Sequence, residues 1–291
     1  MANTLSRPVV VTTRNELRAA VAAARAVGRS IGFVPTMGAL HAGHLSLVEA
    51  ARRDGHFTVV SIFVNPTQFA PGEDFERYPR PLEADLGKLA DQNVDLVFAP
   101  PTEEIYRPGS GFFVEVGPVG DPLEGRCRPG HFRGVATVVL KLFNLAAPDV
   151  AYFGRKDYQQ TLVVRRMAED FDLPVEVRVC PTVREPDGLA LSSRNVYLSP
   201  TERQQALVLS ESLRLARQMV ERGERHAAAV LAQMQTLFTA RPAVQVEYIA
   251  LADGGTLADA ATIDRGTVAL IAARVGRTRL IDNEPIGEAV T

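Results

Sequence analysis

The chain reads as an α/β protein, an open parallel sheet covered by helices and followed by a smaller α+β domain. Three observations predict this. Phe57–Val64 is a near-continuous run of β-branched and aromatic residues, the composition of a strand buried on both faces of a parallel sheet. A strand pattern from Ile31, then Leu45, Leu47, Val48 and Ala51 at helical spacing, precede that run. Strand, helix and strand within roughly 35 residues make a βαβ unit with a right-handed crossover. Beyond residue 200, two amphipathic helices lead into alternating segments near 244–250, 267–273 and 279–281.

Each element has its local reason. Thr12 or Thr13 caps a helix that runs to Ala26 on an Ala/Val/Leu stripe. Helices follow over about 44–53 and 82–92, with a strand at Val94–Ala99 stopped by Pro100-Pro101. Phe112–Val116 has the alternation of a short strand, Val135–Leu145 is an apolar helix, and Val150–Phe153 and Val175–Pro181 are strands. Pro200–Glu221 and Glu224–Phe238 are the amphipathic pair. At 291 residues the length suits about two domains. The polar, turn-rich Thr182–Gly188 stretch sets their boundary, giving 1–182 and 183–291.

Composition narrows the function. A net charge of −2 and a pI near 6.2 give no electrostatic case for nucleic acid or an anionic membrane. No apolar run is long enough to span a bilayer, and the N-terminus has neither the basic region nor the apolar core of a signal peptide. The expectation is a cytoplasmic location with no membrane partner. Cys127 and Cys180 lie far apart without metal-ligand spacing and are expected as reduced thiols. Lys88, Lys141 and Lys156 are the three lysines among 32 basic residues, so a retained ammonium draws attention.

The segment Met37-Gly38-Ala-Leu-His41-Ala-Gly43-His44 carries the chain from a strand into a helix. A helix start has unpaired N–H groups and the positive end of the helix dipole, which attract phosphate. Gly38 and Gly43 let backbone approach closely, and two imidazoles there can donate to oxygens that gain negative charge. Asn65-Pro-Thr-Gln68 follows the next strand, at the ligand-facing end of a parallel sheet. Gly125–Gly134 has three arginines and a histidine, suited either to an anion or to solvent. Gly154-Arg-Lys156-Asp157 is a second strand-to-helix turn, with a lysine for phosphate and a carboxylate for ribose hydroxyls. Leu191-Ser192-Ser193-Arg194 sets two hydroxyls beside a guanidinium, a phosphate clamp or a plain helix cap.

H-x-G-H at 41–44 resembles the HIGH signature of the nucleotidyltransferase superfamily. The fuller set resembles the pantothenate synthetase family, in that family's order and spacing. It comprises Phe33–His44, Ser61–Phe69, Gly130–Gly134, Gly154–Gln160 and Asp187–Asn195, with a looser fit at Ile281-Asp-Asn283. The resemblance implies a Rossmann-like nucleotidyltransferase domain and the ATP-dependent joining of pantoate to β-alanine through pantoyl adenylate, with release of AMP and pyrophosphate. It further implies Mg2+ with the ATP and a homodimer.

By position, the resemblance makes His41 and His44 the α-phosphate stabilisers, with His44 the proton donor. Met37, Gly38, Gly43 and Leu191 would line the nucleotide pocket, Gly154 and Asp157 would meet the ribose, and the backbone at Val183 the adenine. Lys156, Ser192, Ser193 and Arg194 would hold phosphates. Gln68 and Gln160 would hold pantoate, with Gln68 also beside β-alanine, and Asp85 would meet magnesium through water. Arg155, Thr67 and Ala84 depart from the family's usual Glu, Met and acidic residue. Two other classes fit the same motif. One is a nucleotidyltransferase that leaves AMP on its product, and the other an ATP-sensing or RNA-binding module without turnover.

Overall fold

The computed structural model describes residues 7–287. Residues 1–6, where the leader reading begins, and the outer ends of the two expected domain ranges lie outside the described residues. In chain order the elements are β1 (Val9–Val11), α1 (Arg14–Ala26), β2 (Ile31–Thr36), α2 (Ala42–Arg53), β3 (Phe57–Ile62), α3 (Leu82–Asp91) and β4 (Leu96–Phe98). Then come α4 (Thr102–Ile105), α5 (Glu124–Cys127), α6 (His131–Ala146), β5 (Val150–Gly154), α7 (Tyr158–Asp170) and β6 (Glu176–Cys180). The chain ends with α8 (Pro200–Ala206), α9 (Val208–Glu221), α10 (Ala227–Thr239), β7 (Val244–Asp253), β8 (Thr267–Val275) and β9 (Thr278–Pro285). Short 3-10 turns occupy Pro66–Gln68, Arg155–Asp157 and Ser193–Tyr197.

Two compact units result. The first holds the described residues up to Gly117, with Arg128–Gly154 and Gln160–Pro181. The second holds Pro118–Cys127, Arg155–Gln159 and the described residues from Thr182 onward.

The first unit is built on a six-stranded sheet of order β1-β4-β3-β2-β5-β6. Every pairing in it is parallel. From β2 the chain steps outward through β3 to β4, and from β5 it steps the other way to β6. The order therefore reverses between β2 and β5, and at such a point the crevice beyond the carboxyl ends of the strands takes ligands. Burial on both faces explains the apolar runs. Val34, Val60 and Val97 pack with Leu47, Val48, Leu86 and Leu89 of α2 and α3. Phe33 and Phe153 each meet Phe143 of α6 edge-on at 6.4 Å. Of the two capping threonines the sequence offers, Thr13 caps α1, in a reciprocal box with Glu16.

The second unit carries the antiparallel sheet β7-β8-β9. Helices α9 and α10 supply Leu209, Leu213 and Met234 to a core shared with Leu251 and Ile271 of the sheet. Gly276 takes φ +57° in the β8–β9 turn, the left-handed region that favours glycine. Arg279 on β9 grips Glu124 of α5 through both oxygens at 2.6 and 2.7 Å. Tyr248 donates to the same carboxylate at 2.7 Å. Burial, then the Glu124 charge, push the Tyr248 hydroxyl far above its ordinary value, so it stays a donor.

Several elements differ from the sequence reading; the helices α4 and α5, four residues each, are too short to leave a pattern. Val9–Val11 is an edge strand, too short to leave a pattern. Phe112–Val116 is no strand: among the described residues none pairs with it, and its Val114 amide donates to the Thr137 hydroxyl at 2.9 Å instead. The helix expected over Pro200–Glu221 breaks at Leu207 into α8 and α9.

Candidate active site

At the end of β2 the backbone turns through two left-handed residues, Gly38 at φ +82° and Ala39 at φ +50°. For alanine that conformation costs about 1–2 kcal/mol, so something must hold it. Asp85 does so from the first turn of α3. Its two carboxylate oxygens accept from the Ala39 and Leu40 amides, each at 2.8 Å. A side chain on residue 38 would sit 3.2 Å from Oδ2 of Asp85 and 3.0 Å from Ile62, so glycine fits there on space as well as on φ.

His41 is the N-cap of α2. Its Nδ1 accepts from the Gly43 amide at 3.2 Å, while its own amide donates to Nδ1 of His44 at 3.4 Å. The two residues form a capping box, with ring centroids 4.1 Å apart. Because both Nδ1 atoms accept, the proton of each neutral ring belongs on Nε2. The pair thus carries its ring N–H groups on the first turn of a helix, where the dipole favours negative charge.

Gln68 closes the 3-10 turn after β3. Its Oε1 accepts from Asn65 at 2.9 Å and its Nε2 lies 3.4 Å from Sδ of Met37, so these two expected site residues meet. Asn65, 1 % exposed, ties the turn together: its Oδ1 accepts from the hydroxyls of Thr67 and Tyr106, and its amide donates to Gly134 O. Gly134 is there because a Cβ would lie 2.3 Å from the Thr67 carbonyl oxygen.

His131 donates from Nδ1 to Gln68 O at 2.9 Å, and its Nε2 accepts from Arg128 at 3.1 Å. Arg128 is itself paired with Glu73 at 2.6 and 2.8 Å. Burial raises the Glu73 carboxyl, but the Arg128 hydrogen bond and charge outweigh it and leave the group below its ordinary range. A pocket of about 170 Å³ opens between Gln68, Phe69, Phe113, His131 and Arg133. Arg133 pairs with Glu115 and lies over the Phe113 ring at 3.8 Å. Arg128 and Arg133, offered by sequence to an anion, are thus engaged by carboxylates of the chain.

Gly154 ends β5, and Gln160, half-buried, lies in α7. In the second unit, Lys156 sits in the 3-10 turn Arg155–Asp157, its Nζ 3.7 Å from Asp157 Oδ1. Asn283 of β9 donates to the carbonyls of Arg155 and Lys156 at 3.0 and 2.8 Å. Val183 and Leu191 face each other across a small hairpin, Leu191 N donating to Val183 O at 3.0 Å. Ser192 then caps the turn Ser193–Tyr197, accepting from the Arg194 amide at 3.2 Å. Asn195 anchors that turn by donating to Glu185 and Ala190 O, and Arg203 of α8 holds Glu185 and Asp187.

Sequence reasoning singled out the two histidines, Met37, Gln68, Lys156 and the Ser-Ser-Arg turn; it offered Asn65 to the ligand-facing end of the sheet and the loop holding His131 and Gly134 to an anion, without a role for any of these three by itself, and gave Asn283 none. An Asn-Pro pair opening a turn was the available signal for Asn65, since Asn caps such turns. The other three act through partners far off in the chain. Asp85 does not fit a magnesium-bound water: it is 0 % exposed and both its oxygens are taken by backbone amides. No cluster of three His, Cys, Asp or Glu able to hold a metal exists among the described residues.

Known proteins resemble this chain along nearly its whole length. A family model described as pantoate-beta-alanine ligase matches residues 9–285. The pantothenate synthetase of Roseiflexus sp. (strain RS-1) is 54 % identical over 274 residues, covering 94 % of this chain and 98 % of that protein. The crystal structure of pantothenate synthetase from Thermus thermophilus superposes with a TM-score of 0.91 at 49 % identity, covering 96 % and 99 % of the two chains. The ligase from Francisella tularensis, solved with beta-gamma ATP and beta-alanine, gives a TM-score of 0.78 at 32 % identity, covering 97 % and 99 %. Matched by the family model over residues 9–285 and by a relative 54 % identical across 94 % of its length, the protein belongs to the pantoate-beta-alanine ligase family.

Proposed function

We propose that this chain condenses pantoate with β-alanine, using ATP. A pantoate carboxylate oxygen attacks the α-phosphorus, pyrophosphate leaves, and pantoyl adenylate forms. The β-alanine amine then attacks the acyl carbon, AMP leaves with the carboxylate oxygen, and the amide of pantothenate is made. Adenylation is needed because a free carboxylate is a poor electrophile, whereas AMP is a good leaving group at neutral pH.

The observation that carries this reading is the family match over 9–285 together with the His41–His44 helix start at the strand-order reversal. In the proposed division of work, Nε2–H groups of His41 and His44 donate to the α-phosphate as charge builds, His44 supplying the proton. Met37, Gly38, Gly43 and Leu191 line the nucleotide, Gly154 and Asp157 meet the ribose, and the backbone at Val183 meets the adenine. Lys156, Ser192, Ser193 and Arg194 hold the phosphates. Gln68 and Gln160 hold pantoate through their amides, and Gln68 also meets β-alanine. Magnesium enters with ATP as part of the substrate, bound through phosphate oxygens and water, as this ion commonly is.

We place the enzyme in the cytoplasm as a homodimer. No helix among the described residues is long and apolar enough to cross a membrane. Light scattering tests the dimer. The reaction is tested by AMP and pyrophosphate release with pantoate or β-alanine omitted in turn. Release of both products with pantothenate formed only in the full mixture is expected, and sustained ADP formation overturns the reading.

A further inference from the structure

We infer that Asn283 is a positioning residue that sets the direction of the Lys156 side chain. The inference rests on the phosphate role given to Lys156 above. Asn283 lies on β9, paired with Leu270 of β8, and is 2 % exposed. Its Nδ2 donates to two consecutive carbonyls, Arg155 O at 3.0 Å and Lys156 O at 2.8 Å. These carbonyls belong to the peptide planes on either side of the Lys156 Cα. A residue has only two soft backbone dihedrals, φ and ψ, which relate those planes. Holding both planes therefore fixes where the Lys156 Cβ points, and with it the arc its ammonium can reach.

Two further features fit positioning. The Oδ1 of Asn283 is buried with no protein partner, so the amide is oriented by its two donor bonds and not by a balanced network. The neighbouring Asp282 receives Arg184 through both oxygens at 2.6 and 3.1 Å and also accepts from the Asn283 amide at 2.8 Å. Arg184 bridges to Ala190 across the hairpin that leads into Ser192-Ser193-Arg194. One dipeptide on a sheet strand thus supports the lysine turn directly and the serine turn through Arg184, as rigid elements do for precise sites.

The test is a double-mutant cycle on the full chain, read as equilibrium binding of a β,γ-nonhydrolysable ATP analogue and, in parallel, of AMP. Asn283→Ala removes both donors, and Asn283→Asp keeps the size while turning an acceptor toward the carbonyls. Each is expected to weaken the ATP analogue about tenfold, to leave AMP within about twofold, and to change the analogue less than about twofold when Lys156→Ala is already present. Equal losses with and without Lys156, losses shared by AMP, or no loss in a folded variant overturn the inference. Global unfolding of both Asn283 variants overturns it too, because Asn283 would then hold the fold at large. If the wild type binds the analogue but makes no pantothenate, the reaction proposed above falls while the cycle still decides the role of Asn283. If it binds no analogue, both fall.

Discussion

His41 and His44 hold each other at the start of α2: the His41 amide donates to Nδ1 of His44 at 3.4 Å, and the rings stand 4.1 Å apart at 34°. One pair of residues thereby serves both as helix cap and as proposed phosphate donor. The two roles separate on mutation because they differ in size. Losing a cap costs about 1 kcal/mol of stability, whereas losing one donor to a developing oxyanion lowers turnover about 10²- to 10³-fold. His44→Ala should therefore melt within a few degrees of wild type yet release AMP at a small fraction of its rate. Unchanged turnover in a folded His44→Ala protein would remove the donor role.

Asp85 predicts a different pattern. Its carboxylate is engaged by the amides of Ala39 and Leu40, which hold the turn just before His41. In Asp85→Asn, one acceptor becomes an NH2 facing a backbone N–H in a solvent-excluded place. The cost is about 1–3 kcal/mol for the unpaired donors. Urea unfolding should show that loss, and the KM for ATP should rise because the turn shifts. The magnesium concentration giving half-maximal rate should stay as in wild type; a large shift in it would restore a metal role for Asp85.

How far the sequence spoke depended on the range of the interaction. The βαβ pattern, the Thr13 cap and the H-x-G-H turn are local, and each stands as a run or a spacing within a few residues. Segments 118–127 and 155–159 join the residues after 182 through contacts no local pattern encodes: Glu124 with Arg279, and Asn283 with the carbonyls of Arg155 and Lys156. The same holds for Asp85, whose acidic position in a first helical turn reads as a dipole partner. Only the fold shows that Ala39 and Leu40 lie against it. The family resemblance named site residues but not the supports behind them.

Gly134 is one such support, and its substitution should be severe. A methyl group there would lie 2.3 Å from Thr67 O and 2.7 Å from the Gln68 Cα, and both are backbone atoms that cannot rotate away. Gly134→Ala must push the 66–68 turn off α6 and stretch the Asn65 bond to Gly134 O. Overpacking of this kind costs about 1–3 kcal/mol. We expect a lower melting temperature and a KM for pantoate raised well beyond that for ATP, since Gln68 rides on the displaced turn. Steady-state kinetics with each substrate varied in turn checks this, and an equal rise in both would contradict it.

Glu185 gives a pH prediction. The hydrogen bond from Arg203 is the main cause holding its carboxyl below the ordinary 4.5; burial opposes it, and Asn195 adds a further donor. A depressed folded value means that the unfolded chain takes up the proton first as pH falls. The stabilisation is therefore complete above about the ordinary carboxylate value and is lost as pH drops below it through the folded value. Asp187, held by the same Arg203, is also depressed and is lost over the neighbouring acid range, although burial pushes it the other way. In Glu185→Gln the slope of stability against pH should become shallower below pH 4.5 and remain as in wild type near neutrality, apart from a constant offset. Because Asn195, inside the Ser193–Tyr197 turn, donates to Glu185, the same acid range should loosen that turn. Hydrogen exchange at 192–197, followed from about pH 6 to about pH 3, should speed up in wild type before the α9 core does. Simultaneous loss of both would show that Glu185 supports the whole second unit and not that turn in particular.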